Sequence, residues 1–296
     1  MLKPKCLSGE QCYGYNIEGF LLPCCWCDQP ERIKEFATLT QEKFKITNAD
    51  SIDSIIKSDE WQEFFHILIN KQEKAPDTCK TYCSDTYEHK RVVTLKKEIN
   101  LDVTNVCSLK CPGCARQKDW NGKPIPGEEL DIKSWEKITD YFDRIYLCGQ
   151  VSDPTHHNKF FTLLKIALRK NVALRISVAA SFRSESWFTR AFLLTKGHNV
   201  EWVFGIDGLP ADSHKYRINQ DGEKLYSIMK KCASMGLKTF WQCIIFNYNE
   251  KDKDTCISMA KDINVTFQEI LSSRWGGIEH YKPTSVSNYL ERPIEV

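Results

Sequence analysis

The sequence predicts an α/β protein in which a Cys-rich N-terminal segment precedes a core of alternating strands and helices. Three observations lead there. From residue 95 onward, six strand-like stretches alternate with helix-like ones. In the helix-like stretches apolar residues recur at three- and four-residue steps, as in Phe160, Leu163, Leu164, Ala167 and Leu168. Of the 14 Cys, ten lie before residue 115 and form three groups.

The strand-like stretches are Lys97–Val103, Arg144–Cys148, Ala173–Ala179, Glu201–Ile206, Thr239–Phe246 and Val265–Leu271, rich in Val, Ile, Phe, Trp and Leu. Between them the helical candidates are Ile132–Phe142, Lys159–Lys170, Glu185–Thr195, Asp221–Met235 and Glu250–Lys261. Six β/α repeats of this kind predict a parallel sheet with crossover helices, whose ligands bind at the C-terminal ends of the strands. The N-terminal segment reads differently. Ile17 to Leu22 predicts a short hairpin around Glu18-Gly19, and Ser51 to Asn70 predicts a helix with the stripe Ile52, Ile55, Ile56, Trp61, Phe64, Phe65 and Leu68. Residues 276–296 carry no strong pattern and read as a tail.

Composition bounds the function. The 296 residues carry a formal charge of +2 with no long basic stripe, so broad electrostatic capture of nucleic acid is not indicated. No apolar run reaches the roughly 18 residues of a membrane-spanning helix, and the start Met-Leu-Lys-Pro-Lys-Cys lacks the apolar core of a signal peptide. That many Cys without a secretion signal argues against a disulfide scaffold and for metal thiolates in a reducing cytoplasm. Thiolate sets select zinc or iron–sulfur clusters.

The most informative motif is Cys107-Ser-Leu-Lys-Cys111-Pro-Gly-Cys114, a C-x3-C-x2-C triplet directly after the first core strand. Three thiolates so close can hold three irons of a cubane and leave the fourth open. Zinc is the alternative, but it usually takes four ligands and no fourth lies nearby in sequence. A second set comprises Cys6, Gly19 and Cys24, spaced C-x12-G-x4-C, followed by Cys79 and Cys83 spaced C-x3-C. Cys12, Cys25 and Cys27 compete as ligands there, and a structural zinc site is the plainer reading. Cys148, Cys232, Cys243 and Cys256 are scattered and lack ligand spacing.

The triplet and the β/α order around it, over residues 95 to 275, resemble the radical SAM superfamily. The resemblance implies a partial (β/α)6 TIM-like barrel over 93–275, with a small Cys-rich module over 1–92 before it and a tail over 276–296. It implies a [4Fe–4S] cluster on Cys107, Cys111 and Cys114, with S-adenosylmethionine (SAM) chelating the open iron through its amino and carboxylate groups. One-electron cleavage of SAM then gives a 5′-deoxyadenosyl radical that abstracts hydrogen from a substrate. The electron would come from a reductant such as flavodoxin or ferredoxin. The family's aromatic or large apolar residue before the third Cys is Gly113 here. The second Cys set resembles the SPASM or twitch auxiliary module, which implies a second [4Fe–4S] cluster on Cys6, Cys24, Cys79 and Cys83. In most relatives that module follows the core rather than preceding it. The arrangement is similar to that of small radical SAM proteins from phages and marine metagenomes.

The resemblance also implies SAM contacts. Gly149 and Asp153 fall where relatives meet the amino group of SAM, although Asp153-Pro also reads as a turn that starts a helix. Asp207 falls near the ribose or the substrate, in Gly205-Ile-Asp-Gly208 where relatives carry Ser in place of Gly205. Arg217 falls where an Arg pairs with the SAM carboxylate, which a guanidinium fork suits. Ser181, Gln242 and Asn247 lie at or near strand ends that face adenosine or substrate, and Asn247 is taken as a cofactor contact. His156 and His157 read equally as substrate-facing or as surface residues at a helix start. Catalytic residues beyond the cofactor are not identified. The substrate stays open between a peptide or protein side chain and a nucleoside or nucleic acid. A non-catalytic zinc- or cluster-binding module is the rival class. No winged-helix peptide-recognition domain is apparent.

Overall fold

The computed structural model describes residues 2–8, 11–27, 33–83, 97–118, 121–123, 125–148, 151–270, 272, 275–284 and 294–295. Along the chain these form strands β1 (Tyr13–Tyr15) and β2 (Leu21–Leu22) and helices α1 (Ile52–Ile56), α2 (Asp59–Asn70) and α3 (Asp77–Tyr82). Then come β3 (Glu98–Leu101), α4 (Ala115–Lys118), α5 (Ile132–Tyr141), β4 (Arg144–Leu147), α6 (Phe160–Arg169), β5 (Ala173–Val178) and α7 (Glu185–Thr195). The chain closes with β6 (Val200–Gly205), α8 (Gly222–Ser234), β7 (Lys238–Ile244), α9 (Lys253–Asp262), β8 (Thr266–Ile270) and β9 (Ile294–Glu295). All six predicted core strands are present as β3 to β8. The α/β class and the β/α order of a partial (β/α)6 barrel are therefore as the sequence predicts.

Two compact units divide the chain. The first comprises Met1–Asn105, Pro126–Gln150 and Thr162–Ala173, and the second Val106–Ile125, Val151–Phe161 and Leu174–Val296.

In the first unit β3 and β4 pair in parallel, with Ile99 opposite Ile145. β1 adds in parallel to β3, with Tyr13 opposite Ile99, and β2 pairs antiparallel to β1. The hairpin turn and its second strand sit where expected, but the first strand, β1, lies before Ile17–Leu22. Asn16 causes this, because its side-chain oxygen accepts from Phe20 N at 3.0 Å and closes the turn over Glu18 and Gly19. Gly19 has φ 101°, which favours glycine. The predicted helix over Ser51–Asn70 is two helices. α1 opens on a capping box in which Ser51 and Ser54 exchange bonds, and Ser58 then turns extended (ψ 154°) and restarts the chain as α2. Trp61, Phe64 and Leu68 of α2 and Trp135 and Ile138 of α5 are buried. The Trp135 indole N–H donates to Leu163 O at 2.8 Å, which fixes α5 against α6.

In the second unit β5, β6, β7 and β8 pair in parallel, and β9 adds antiparallel to β8 with Gln268 opposite Glu295. The core is aromatic: Phe188, Phe192, Trp202, Phe204, Trp241 and Phe267 are all fully buried. Trp202 and Trp241 each keep a hydrogen bond, to Thr195 Oγ1 at 3.1 Å and Ile206 O at 2.8 Å, so burial leaves neither of these two indole N–H groups unpaired. Because the strands are parallel, the loops that leave β5, β6 and β7 emerge at one edge of the sheet.

Candidate functional site

The triplet lies in the second unit, in the segment that leads into α4. Its backbone is held from two sides. Asp153 N donates to Val106 O at 3.3 Å, and Ser108 N donates to His156 Nε2 at 3.1 Å. From the loop after β6, Asn219 Nδ2 donates to Ser108 O at 3.2 Å, while Lys110 N donates to Ile218 O at 3.0 Å. Cys114 N closes a turn onto Cys111 O at 3.0 Å, and Gln117 N then donates to Cys114 O to begin α4. A loop so tethered is a fixed frame for its side chains rather than a free tether.

All three thiols are half-buried. Burial pushes Cys107 up to about 12, with Asp153, Cys111 and Cys114 adding to it. Cys111 is also raised to about 12 by burial. Arg217 pulls it down, while Cys114 and Asp207 push it up. The three thiols thus stand within electrostatic reach of one another. Among the described residues, no three His, Cys, Asp or Glu side chains close around one point as ligands of a single ion. A cubane asks for a different arrangement, one soft thiolate per iron around a larger body, and three neighbouring thiols on a tethered loop fit that donor set.

Asp207 and Arg217 form a buried pair next to Cys111. Arg217 Nε lies 2.8 Å from Asp207 Oδ2, with 11% of the Arg217 side chain and none of the Asp207 side chain exposed. Arg217 Nη2 also donates to Asp207 Oδ1 at 3.2 Å. Ile244 N donates to the same oxygen at 2.8 Å, and Asp207 N donates to Ser213 Oγ at 2.8 Å. Burial raises the Asp207 carboxyl, and Arg217 opposes that rise. For Arg217 burial works downward, but Asp207 outweighs it and holds the guanidinium above its ordinary value. The fork that sequence assigned to the SAM carboxylate is here turned on a carboxylate of the chain itself.

Packing leaves no room for a side chain at Gly205. A Cβ there would stand 2.9 Å from Arg217 Nη2 and 3.1 Å from its Cζ. Three residues on, Gly208 has φ 87° and faces Asn249, whose Cβ would lie 2.6 Å from an added methyl. The Gly-Ile-Asp-Gly run is therefore a packing requirement at both ends.

Asp153 is also engaged on both oxygens. Oδ1 accepts from Thr155 N at 3.0 Å and from the Thr155 hydroxyl, and Oδ2 accepts from Ala179 N and Ala180 N at 2.8 Å each. It joins the loop after β4 to the loop after β5. Ser181 accepts from Asp221 N at 2.8 Å, next to the N-terminus of α8. The Asn247 amide donates to His280 O, and its backbone N donates to Tyr281 O at 2.9 Å. Gln242 lies in β7, where its backbone carbonyl accepts from Ile206 N at 3.1 Å. His157 is buried and accepts from Lys159 N at 3.0 Å, whereas His156 stacks on Phe182 with ring centroids 3.9 Å apart. Gly149 lies outside the described residues.

The triplet is rimmed by apolar side chains that sequence reasoning passed over. Val106, Phe182 and Ile218 are all exposed large hydrophobics. Val106 directly precedes Cys107, Phe182 rests on the His156 that holds Ser108, and Ile218 receives Lys110 N. Their signal is tertiary, because nothing in the sequence relates Phe182 or Ile218 to the triplet.

The second Cys set lies in the first unit. Lys3 N donates to Cys83 O at 2.7 Å, which brings the segment of Cys6 alongside the end of α3. Glu35 accepts from Thr78 N at 2.8 Å and from Thr78 Oγ1 at 3.1 Å at the start of the same helix. Gly14 lets β1 approach the Cys24–Cys25 backbone, since a Cβ there would lie 3.0 Å from Cys25 Cα. Burial raises Cys6 well above an ordinary thiol, with Cys24, Cys79 and Cys83 adding to it. Burial also takes Cys79 up to about 12, with Cys83 and Cys24 contributing. Cys24 goes the other way: hydrogen bonds from the Cys25 and Cys27 thiols hold it well below its usual range, with help from Trp26 N and Lys5. The Cys6 thiol thus lies within electrostatic reach of those of Cys24, Cys79 and Cys83. Lys5 is buried beside them, with its ammonium 5.9 Å from the Trp26 ring centroid, and Trp26 packs on Tyr82 at 4.3 Å. Cys27, one of the competing thiols, is within electrostatic reach of Cys24, Cys79 and Cys6. Its C-x2-C spacing from Cys24 was the available signal.

No helix among the described residues is long and apolar enough to cross a membrane. No protein-family profile matches the sequence, and no curated protein is similar to it. Among solved structures the chain is similar to SuiB of Streptococcus suis bound to precursor peptide SuiA, with a TM-score of 0.52 and 12% identity over 89% of this chain and 58% of that one. A second SuiB crystal structure gives 0.50 and 14% over 87% and 56%. A third, of SuiB bound to S-adenosylmethionine, gives 0.48 and 12% over 95% and 64%. The chain spans less than three fifths of the SuiB chain in the first two, at 58% and 56%. At these identities the likeness is one of architecture, and the conclusion it carries is that this chain has the α/β fold of SuiB.

Proposed function

We propose that this protein is a radical SAM enzyme that modifies a peptide or protein side chain. The carrying observation is the tethered triplet Cys107, Cys111 and Cys114, whose half-buried thiols are mutually close in the segment that follows the first core strand. Its setting in the fold of SuiB supports the reading, and the precursor peptide bound by SuiB is the reason for preferring a peptide. When bound, the cluster and SAM would supply one-electron cleavage of SAM and a 5′-deoxyadenosyl radical that takes hydrogen from the substrate.

In this proposal the three thiols hold the cluster and leave one iron for SAM. Asp153 fixes the loop after β4 against the loop after β5 through its four acceptor contacts. Asp207 and Arg217 build the wall behind Cys111. With Gly149 and Asn247 they make up the proposed SAM-facing set. Val106, Phe182 and Ile218 supply apolar surface around the triplet, which favours exclusion of water from a reactive centre. Cys6, Cys24, Cys79 and Cys83 hold the proposed auxiliary cluster, with the electron drawn from flavodoxin or ferredoxin in a reducing cytoplasm.

The test is anaerobic reconstitution followed by SAM and dithionite. The expected protein is brown and carries about eight irons per chain, as two cubanes require. It releases 5′-deoxyadenosine, and candidate peptides carrying deuterium transfer the label to it. Colourless protein with stoichiometric zinc and no SAM cleavage would overturn the proposal in favour of a structural metal module.

A further inference from the structure

The auxiliary site has one thiol more than a cubane needs. Residues Cys25–Cys27 form a single 3₁₀ turn, and Cys27 N donates to Cys24 O at 3.0 Å. Positions i and i+3 eclipse in such a turn, so Cys24 and Cys27 present their thiols on the same side. The Cys27 thiol is buried and hydrogen-bonded to that of Cys24, and it lies close enough to Cys79 and Cys6 for both to act on it. Cys25, on the adjacent position of the turn, takes a different partner. Its N–H donates to Cys12 O at 3.1 Å, its thiol is hydrogen-bonded with Cys12 as well as Cys24, and it reaches Gln11 Oε1 at 3.6 Å. The turn thus divides the remaining thiols, sending Cys27 into the group of Cys6 and Cys79 and Cys25 toward Cys12.

We infer that the auxiliary cluster is held by four of five thiols, Cys6, Cys24, Cys27, Cys79 and Cys83, with Cys24 and Cys27 interchangeable as the ligand from the hairpin. This rests on the auxiliary cluster proposed above and deepens it. With five thiols for four irons, no iron is left open, so a substrate does not ligate this cluster and its role is electron transfer. The exchange is a ligand substitution: one iron–thiolate bond breaks and another forms, the departing thiolate gains a proton, and the entering thiol loses one.

The test uses the full chain in a Cys107→Ala/Cys111→Ala/Cys114→Ala background, so that iron reports the auxiliary site alone. About four irons per chain are expected in the background, and the same content after Cys24→Ala or Cys27→Ala. Cys24→Ala/Cys27→Ala should lose the cluster, while Cys12→Ala/Cys25→Ala should keep it. Circular dichroism of each variant separates loss of the cluster from loss of the fold, and Cys→Ser versions repeat the series with less change of packing. If Cys24→Ala or Cys27→Ala alone empties a site that the background fills, interchange is overturned and the auxiliary-cluster reading survives. If the background itself holds no cluster, that reading falls and this inference with it.

Discussion

The guanidinium of Arg217 occupies the space where any side chain at Gly205 would begin, 2.9 Å from the site of its Cβ. A hydroxymethyl group and a buried arginine cannot share that volume. This chain has resolved the conflict in favour of the arginine, which leaves Asp207 ion-paired in a place where an isolated carboxylate would be costly.

Gly205→Ala should therefore destabilise the protein by about 2–3 kcal/mol, because the guanidinium must move off Asp207 and a buried pair loses its geometry. In an Asp207→Asn/Arg217→Met background the same change should cost well under half as much. A double-mutant cycle by urea denaturation measures the coupling. Equal costs in both backgrounds would show that Gly205 matters for some reason other than Arg217.

Asp153→Ala should cost about 3 kcal/mol, since it strips acceptors from the N–H groups of Ala179 and Ala180 and from Thr155. Hydrogen exchange is the direct readout. The Ala179 and Ala180 amides should lose protection, while amides in α8 keep theirs.

Without metal, burial pushes the thiols of Cys107 and Cys111 up to about 12. The folded state holds these protons more tightly than the unfolded chain does, so stability is fully present below the unfolded thiol range and declines as pH rises toward 12. Alkylation of the metal-free protein by iodoacetamide should be slow near neutrality and accelerate with pH. Cluster assembly should release protons and improve with pH for the same reason. A pH-independent alkylation rate would contradict the burial argument.

His156 titrates in the opposite sense. Burial lowers it first, Asp153 raises it, and Arg183 and Arg116 lower it further. Its Nε2 accepts from Ser108 N and must be neutral to do so. A depressed His favours the neutral folded form, so this contribution is present near neutral pH and is lost as pH falls below the usual His range. His156→Ala should flatten the stability profile across that window and loosen the triplet segment, visible as faster exchange of the Ser108 amide.

The parts of this protein that were readable from sequence are those with a local signal. The strands β3 to β8 were each marked by a β-rich run, and the helices between them by their apolar steps. The triplet and the C-x12-G-x4-C spacing were legible because each is a short local run of Cys and Gly in the sequence. The break between α1 and α2 at Ser58 was missed because the apolar stripe runs through it and a single cap decides it. The Asp207–Arg217 pair was missed because each residue alone suits a ligand, and only the packing across Gly205 brings the two together. Cys12, Cys25 and Cys27 could not be told apart from sequence, because the 3₁₀ turn at Cys25–Cys27 that separates their surroundings leaves no local signal.

The parallel pairing of β1 with β3 bears on how the chain acquires its fold. Tyr13 finds Ile99 only after the intervening hairpin, α1, α2 and α3 have been made. A non-local parallel contact of this kind closes late, because its loop entropy must be met before the pairing returns anything. The earlier of the two paired strands thus waits for the later one before it reaches its place. Until then the thiols at Cys6 and Cys24 have no fixed geometry relative to Cys79 and Cys83. The geometry of the N-terminal thiols is in this way tied to completion of the strand that leads into the triplet.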